Sequence, residues 1–151
     1  MNRLALRLAA VAVLVLQAGH AGAQNHEQAF ERYVLKSNVV SSLSIPEASA
    51  NKHAIRRAAD QGILNVTVMK KGQSLQTVPA RVQAHAISLA GSKRKIEMRE
   101  TKVGDWVSYT GTFNFAPREV LDFNIVAEPT GSGQVLEMSY RDRVWVDRQA
   151  P

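Results

Sequence analysis

Ile63-Leu64-Asn65-Val66-Thr67-Val68-Met69-Lys70 is the stretch that decides the fold class. Leu64, Val66 and Val68 alternate with Asn65, Thr67 and Met69, and a period of two puts alternate side chains on opposite faces of an extended chain. The β-branched residues suit a pleated surface. The stretch therefore reads as a strand with Leu64, Val66 and Val68 facing a core, and Lys71-Gly72-Gln73-Ser74 turns the chain after it.

The same period recurs on both sides. Upstream, Glu31 to Ser41 carries Tyr33 and Leu35 on one face, with Val39 as a further candidate. Downstream, Ala80 to Leu89 sets Val82, Ala84 and Ala86 against Arg81, Gln83 and His85, and Lys95 to Lys102 sets Ile96 and Met98 against Glu97 and Arg99. Trp106 to Phe115 places Val107, Tyr109, Phe113 and Phe115 on one face, with Gly111 among them and Ser108, Thr110, Thr112 and Asn114 opposite. Glu119 to Glu128 alternates Leu121, Phe123, Ile125 and Ala127 with polar residues, and Gln134 to Asp147 carries Leu136, Met138 and Tyr140. Turns rich in glycine and polar residues separate these runs.

One interruption is helical. Ser44-Ile45-Pro46-Glu47 has the form of a capping box, with Pro46 acceptable in the first turn. The helix ends at Asn51-Lys52-His53, or continues through Ala54 to Ala59 with Gly62 as its C-terminal cap. About seven strands and one short helix predict an all-β, immunoglobulin-like antiparallel β-sandwich. A closed barrel is the alternative.

Residues 1–23 belong to a different problem. Arg3 and Arg7 precede the apolar run Leu8 to Leu16, and Ala21-Gly22-Ala23 offers the small residues a signal peptidase needs. An apolar core of about nine residues is too short for a bilayer, which takes roughly 20. A signal peptide cleaved near Ala23 is expected, followed by a single domain over residues 24–151 located in the periplasm, with no stable membrane anchor after cleavage. The short tails Gln24 to Gln28 and Arg148 to Pro151 are expected to be mobile.

The chain has no cysteine, which excludes thiol nucleophiles, disulfides and cysteine-based zinc sites. Of its 19 Lys and Arg against 13 Asp and Glu, Arg3 and Arg7 leave with the leader, so the mature chain keeps an excess of about four positive charges. A moderate excess of that kind is compatible with an anionic partner. Nucleic acid is not expected outside the cytoplasm.

The residues that could suggest catalysis have ordinary explanations. His26, His53 and His85 share no spacing that would converge on a metal. Ser132 lies between two glycines, but Thr130-Gly131-Ser132-Gly133 joins two strands, whereas a nucleophile elbow runs from a strand into a helix. Glu97 and Glu100, three apart in one strand, point to opposite faces and make no acid/base pair. No catalytic residue, metal site or cofactor is predicted.

What remains are contact surfaces. Lys93-Arg94-Lys95 sits at a hairpin, Lys52, Arg56 and Arg57 follow the helix, and Arg141, Arg143 and Arg148 lie near the last strand. Converging, they would suit an anionic partner; separately, charged turns simply keep strand edges soluble. The polar ladder Ser108, Thr110, Thr112 and Asn114, headed by Trp106, is a second candidate face.

Several of these stretches resemble one family. Leu64 through Gly72, Pro46-Glu47 leading into a short helix, Gly104-Asp105 before an aromatic strand, Thr130-Gly131-Ser132-Gly133 and Val144-Trp145-Val146-Asp147 are similar in order and spacing to uncharacterised secreted proteobacterial proteins, the domain of unknown function DUF4426. The resemblance covers nearly all of the mature chain and implies a periplasmic β-sandwich. It brings no site residues. The functional expectation is a non-enzymatic binding or interaction module that contacts an unknown protein or an anionic envelope component, with Lys93, Arg94, Lys95, Arg141, Arg143 and Trp106 as candidate surface. An envelope hydrolase is the alternative.

Overall fold

The computed structural model describes residues 24–144 except 73 and 75, together with residue 146. The predicted signal peptide lies outside the described residues. Along the chain run β1 Asn25–Ala29, β2 Tyr33–Ser41, a 3-10 turn Ser42–Ser44, α1 Glu47–Lys52 and β3 Gln61–Lys70. Then follow β4 Gln76–Thr77, β5 Ala80–Ser88, β6 Lys93–Ile96, β7 Arg99–Val103, β8 Trp106–Asn114, β9 Val120–Pro129 and β10 Leu136–Arg143.

These strands form two open antiparallel sheets, one ordered β1-β2-β3-β8-β7 with β4 added to β3, the other ordered β10-β9-β5-β6. Alternation explains why the sheets stack. Leu35, Leu64, Val66 and Val68 from the first sheet meet Ala84, Ala86, Phe123 and Ile125 from the second, all at most 1% exposed. The fold is the all-β sandwich with one short helix that the period-two pattern predicts. Phe123 sits at its centre, edge-on to Phe113 at 5.2 Å and stacked with Tyr140 at 5.5 Å.

Three local expectations are corrected. The tail Gln24 to Gln28 is not loose, because residues 25–29 pair with β2 from Asn25 opposite Asn38 to Ala29 opposite Val34. This edge strand has no apolar alternation and is held by backbone pairing and by His26, whose ring stacks on Tyr140 with centroids 3.7 Å apart. The capping box does not form: Pro46 occupies the N-cap, and the Ser44 hydroxyl instead donates to the Ser41 carbonyl at 2.6 Å. Of the two helix ends the sequence offers, the nearer one forms: the helix stops at Lys52 with His53 as its C-cap, and Gly62 lies within β3 beneath the Phe113 ring.

The third difference positions the site. Lys95 to Lys102 is not one strand: it divides into β6, which pairs with β5, and β7, which pairs with β8. Glu97 and Met98 carry the chain from one sheet to the other. The crossover lies so close to β8 that a Cβ on Gly111 would meet Ile96 Cγ2 at 2.5 Å, Met98 Sδ at 2.7 Å and the Glu97 carbonyl oxygen at 2.8 Å.

A further link fastens the second sheet to the chain leaving β8. The Arg94 guanidinium donates to the Asn114 carbonyl and to the Glu119 carboxylate, which also accepts the Ala116 N–H at 2.8 Å. Burial pushes the Glu119 carboxyl up, but Arg94 and the Ala116 N–H outweigh it and hold the group below its ordinary 4.5. A carboxyl depressed by folding stabilises above the unfolded value, and that stability is lost as pH falls through the folded value. Thermal unfolding should therefore show wild type more stable than Glu119→Gln at pH 7, with the gap closing as pH falls below the ordinary carboxyl value. A gap independent of pH would show that the ion pair is not its source.

Candidate functional site

The outer face of the first sheet carries a polar row across three strands. Register places Arg99 of β7 opposite Thr110 of β8, and Thr110 opposite Asn65 of β3. The Thr110 hydroxyl donates to Asn65 Oδ1 at 3.0 Å. Ser108 and Thr112 flank this row on β8, and Ile63 lies two residues before Asn65 on the same face of β3.

A wall rises over one end of that face from the segment around α1. The chain reverses after the helix at Ala54, whose φ of 53° is left-handed, and Ile55 N–H donates to the Ala50 carbonyl at 2.8 Å. The return is pinned by Ser42, fully buried, whose hydroxyl donates to the Ala58 carbonyl and accepts the Ala58 N–H, both at 2.9 Å. Arg57 adds a donor to the Leu43 carbonyl at 2.9 Å. Ser42→Ala removes the acceptor of the half-buried Ala58 N–H, while the Ala58 carbonyl keeps the Gln61 N–H at 3.2 Å, and the loss should cost about 1 kcal/mol. Chemical denaturation should read that loss; an unchanged midpoint would show that the wall is not anchored there.

Between the wall and β7 lies a concavity of about 630 Å³, lined by Ile45, Ser49, His53, Ala54 and Ile55 on one side. Its floor is Ile63, Asn65, Ser108, Thr110, Gly111 and Thr112, and its far rim is Glu97, Arg99, Glu100 and Thr101. The volume falls in the range of small-molecule sites, about 300–1,000 Å³. Hydroxyls and an amide that can both donate and accept line the middle, and Ile45, Ile55 and Ile63 make one end apolar.

The two carboxylates on the rim are already engaged. Glu97 is exposed and meets Lys95 at 2.9 Å. Glu100 accepts the Tyr109 hydroxyl at 2.9 Å and lies 3.2 Å from Lys102. Those hydrogen bonds, the Tyr109 one foremost, hold the Glu100 carboxyl below its ordinary value. The single strand expected through Glu97 and Glu100 is broken between them, but Glu100 stands opposite the core residue Tyr109 in register and its carboxylate takes the Tyr109 hydroxyl on that inner side, so the two glutamates make no pair across the concavity. A glycosidase pair still requires one carboxyl with a raised pKa, and Glu100 is shifted the other way.

The candidate surface residues are dispersed. Lys93 and Lys95 lie on β6 and Arg141 and Arg143 on β10, at the two edges of the second sheet, three strand spacings or roughly 14 Å apart. Arg94 is engaged with Glu119, and Arg141 grips Asp122 through two hydrogen bonds at 2.7 and 3.0 Å. Trp106 lies on β8 of the other sheet, 49% exposed. Burial, followed by the charges of Lys93 and Lys95, lowers the pKa of His85. Ser132 caps its own turn, donating to the Pro129 carbonyl at 2.7 Å and accepting the Gln134 N–H at 3.0 Å. Among the described residues no three of His, Cys, Asp and Glu gather into a metal site. No helix among them is long and apolar enough to cross a membrane.

The polar ladder is the sequence feature that coincides with the site, since Ser108, Thr110 and Thr112 form part of its floor. Ser49, His53 and Ile55 carried no such signal, because only tertiary folding brings their segment over β8.

No curated protein matches the chain. Among solved structures, a DUF4426 family protein from Pseudomonas aeruginosa PAO1 is similar at 26% identity and a TM-score of 0.70, covering 82% of this chain and 96% of its own. A copper-bound variant of FetP from uropathogenic Escherichia coli strain F11 matches at 10% identity and a TM-score of 0.58, covering 81% of this chain and 95% of that one. FetP as isolated after expression in the periplasm of Escherichia coli BL21(DE3) gives 9% identity and 0.59, over 82% and 97%. At those identities the FetP likeness is one of fold alone. The family model described as a domain of unknown function (DUF4426) matches residues 27–147, and the chain belongs to that family.

Proposed function

We propose that this protein is a non-enzymatic binding module of the cell envelope, exported to the periplasm by a leader cleaved near Ala23, and that its ligand occupies the concavity outside the first sheet. One observation carries the reading: a hollow of about 630 Å³ joins an apolar end to a floor of uncharged donors and acceptors, with its rim carboxylates already paired. Such a floor can orient a ligand, whereas acid/base turnover needs a carboxyl poised to hold a proton. The leader's three-part pattern supports export, and FetP, which shares the fold, was produced in the periplasm.

The test uses isotopically labelled protein exported through its own leader and purified from the periplasm. Its first residue is sequenced, and its amide resonances are followed while pooled envelope metabolites are added. The reading expects an N-terminus near Gln24 and shifts centred on Asn65, Ser108 and Thr110 without conversion of the bound compound. Turnover of that compound would favour the hydrolase. Shifts confined to Lys93, Lys95 and Arg143 would move the binding surface to the second sheet.

A further inference from the structure

The concavity has a direction. Its apolar end is Ile45, Ile55 and Ile63, and its opposite end is Arg99, a cation that forms no ion pair among the described residues. The rim carboxylates do not neutralise it, because Glu97 is paired with Lys95 and Glu100 with Lys102. Thr110, directly opposite Arg99 in register, turns its hydroxyl hydrogen to Asn65 and keeps its oxygen available as an acceptor. Arg99 is two strands across and two residues along from Ile63, a diagonal of roughly 12 Å at ordinary sheet spacings.

On the reading that this concavity is the ligand site, we infer that it takes an amphipathic carboxylate: an acyl chain or other apolar body against the isoleucines, with the acid group on the Arg99 guanidinium. A guanidinium presents a planar fork of donors that matches a carboxylate with two parallel hydrogen bonds. The uncharged row between the two ends supplies hydrogen-bonding groups for a polar linkage in the middle of the ligand. The bound acid also fills the site's electrostatic deficit, since Arg99 is the permanent cation on a rim whose negative groups already have partners.

Octanoate, octanamide and acetate, titrated into the processed protein and followed by amide shifts, separate the claims. Octanoate should shift resonances on β3, β8 and β7, octanamide should bind at least tenfold more weakly, and acetate should be weaker again. Arg99→Gln should reduce octanoate affinity to that of octanamide, and Arg99→Lys should recover part of it; circular dichroism checks that both variants fold. Equal affinity for octanoate and octanamide in wild type overturns the carboxylate assignment, whatever the variants do. Acetate binding as well as octanoate overturns the apolar end. If all three leave the site unshifted, the inference fails, while the binding reading stands or falls on the envelope metabolites.

Discussion

Gly111→Val should unfold this protein at temperatures where wild type is fully native. A Cβ at position 111 would lie 2.5 Å from Ile96 Cγ2, 2.7 Å from Met98 Sδ and 2.8 Å from the Glu97 carbonyl oxygen. Ile96 is itself buried at 1% exposure, and the third contact is backbone, so the obstruction cannot be relieved by rotating one free side chain. Overpacking of a close-packed interior typically costs about 1–3 kcal/mol and more when backbone must move. The crossover from β6 to β7 would be forced away from β8, and Glu97 and Arg99 on the rim would move with it. Equilibrium denaturation should show a loss of at least about 2 kcal/mol, and Gly111→Ala should already show part of it. Wild-type stability in the valine variant would mean that the crossover does not pack on β8 as described.

The second large effect is at the centre of the sandwich. Phe123 is fully buried, packs edge-on against Phe113 and stacks on Tyr140. Phe123→Ala removes the ring and leaves a cavity between the sheets, a change that costs about 3–5 kcal/mol in cores of this kind. Phe123→Leu keeps most of the volume and should lose much less. Tyr140 also binds Ser37 at 2.8 Å and carries His26 on its face, so the damage should reach the β1 edge. Hydrogen exchange in Phe123→Ala should accelerate at residues 25–29 along with the core strands; protection there equal to wild type would separate β1 from the core.

How much was legible in the sequence follows from the range of the forces involved. Alternation along Leu64 to Val68 and Leu121 to Ala127 is local, and both runs are strands with the predicted faces inward. Strand β1 has no apolar alternation in Asn-His-Glu-Gln-Ala, and its stability comes from pairing with β2 and from a ring 114 positions away, which no local pattern encodes. The broken strand at Glu97 and Met98 was hidden for a related reason: Ile96 and Arg99 keep the expected alternation, and the change of sheet is dictated by the space above Gly111. Ser44 and Glu47 match a capping box in type and spacing, yet the Ser44 hydroxyl has a nearer acceptor in the Ser41 carbonyl. The site divides along the same line. Its floor was visible as a polar ladder, while its wall depends on Ser42 holding Ala58, a contact across 16 positions.

The central proposal is that the ligand sits in the hollow over β8. It is tested most directly by a photoreactive residue placed at Thr112, on the floor, in protein expressed with its own leader in living cells, with the same residue at Glu137 on the second sheet as control. After irradiation, intact-mass measurement should find an adduct at position 112 and none at 137. Adducts at 137 alone, or at both positions equally, would contradict the assignment of the binding site.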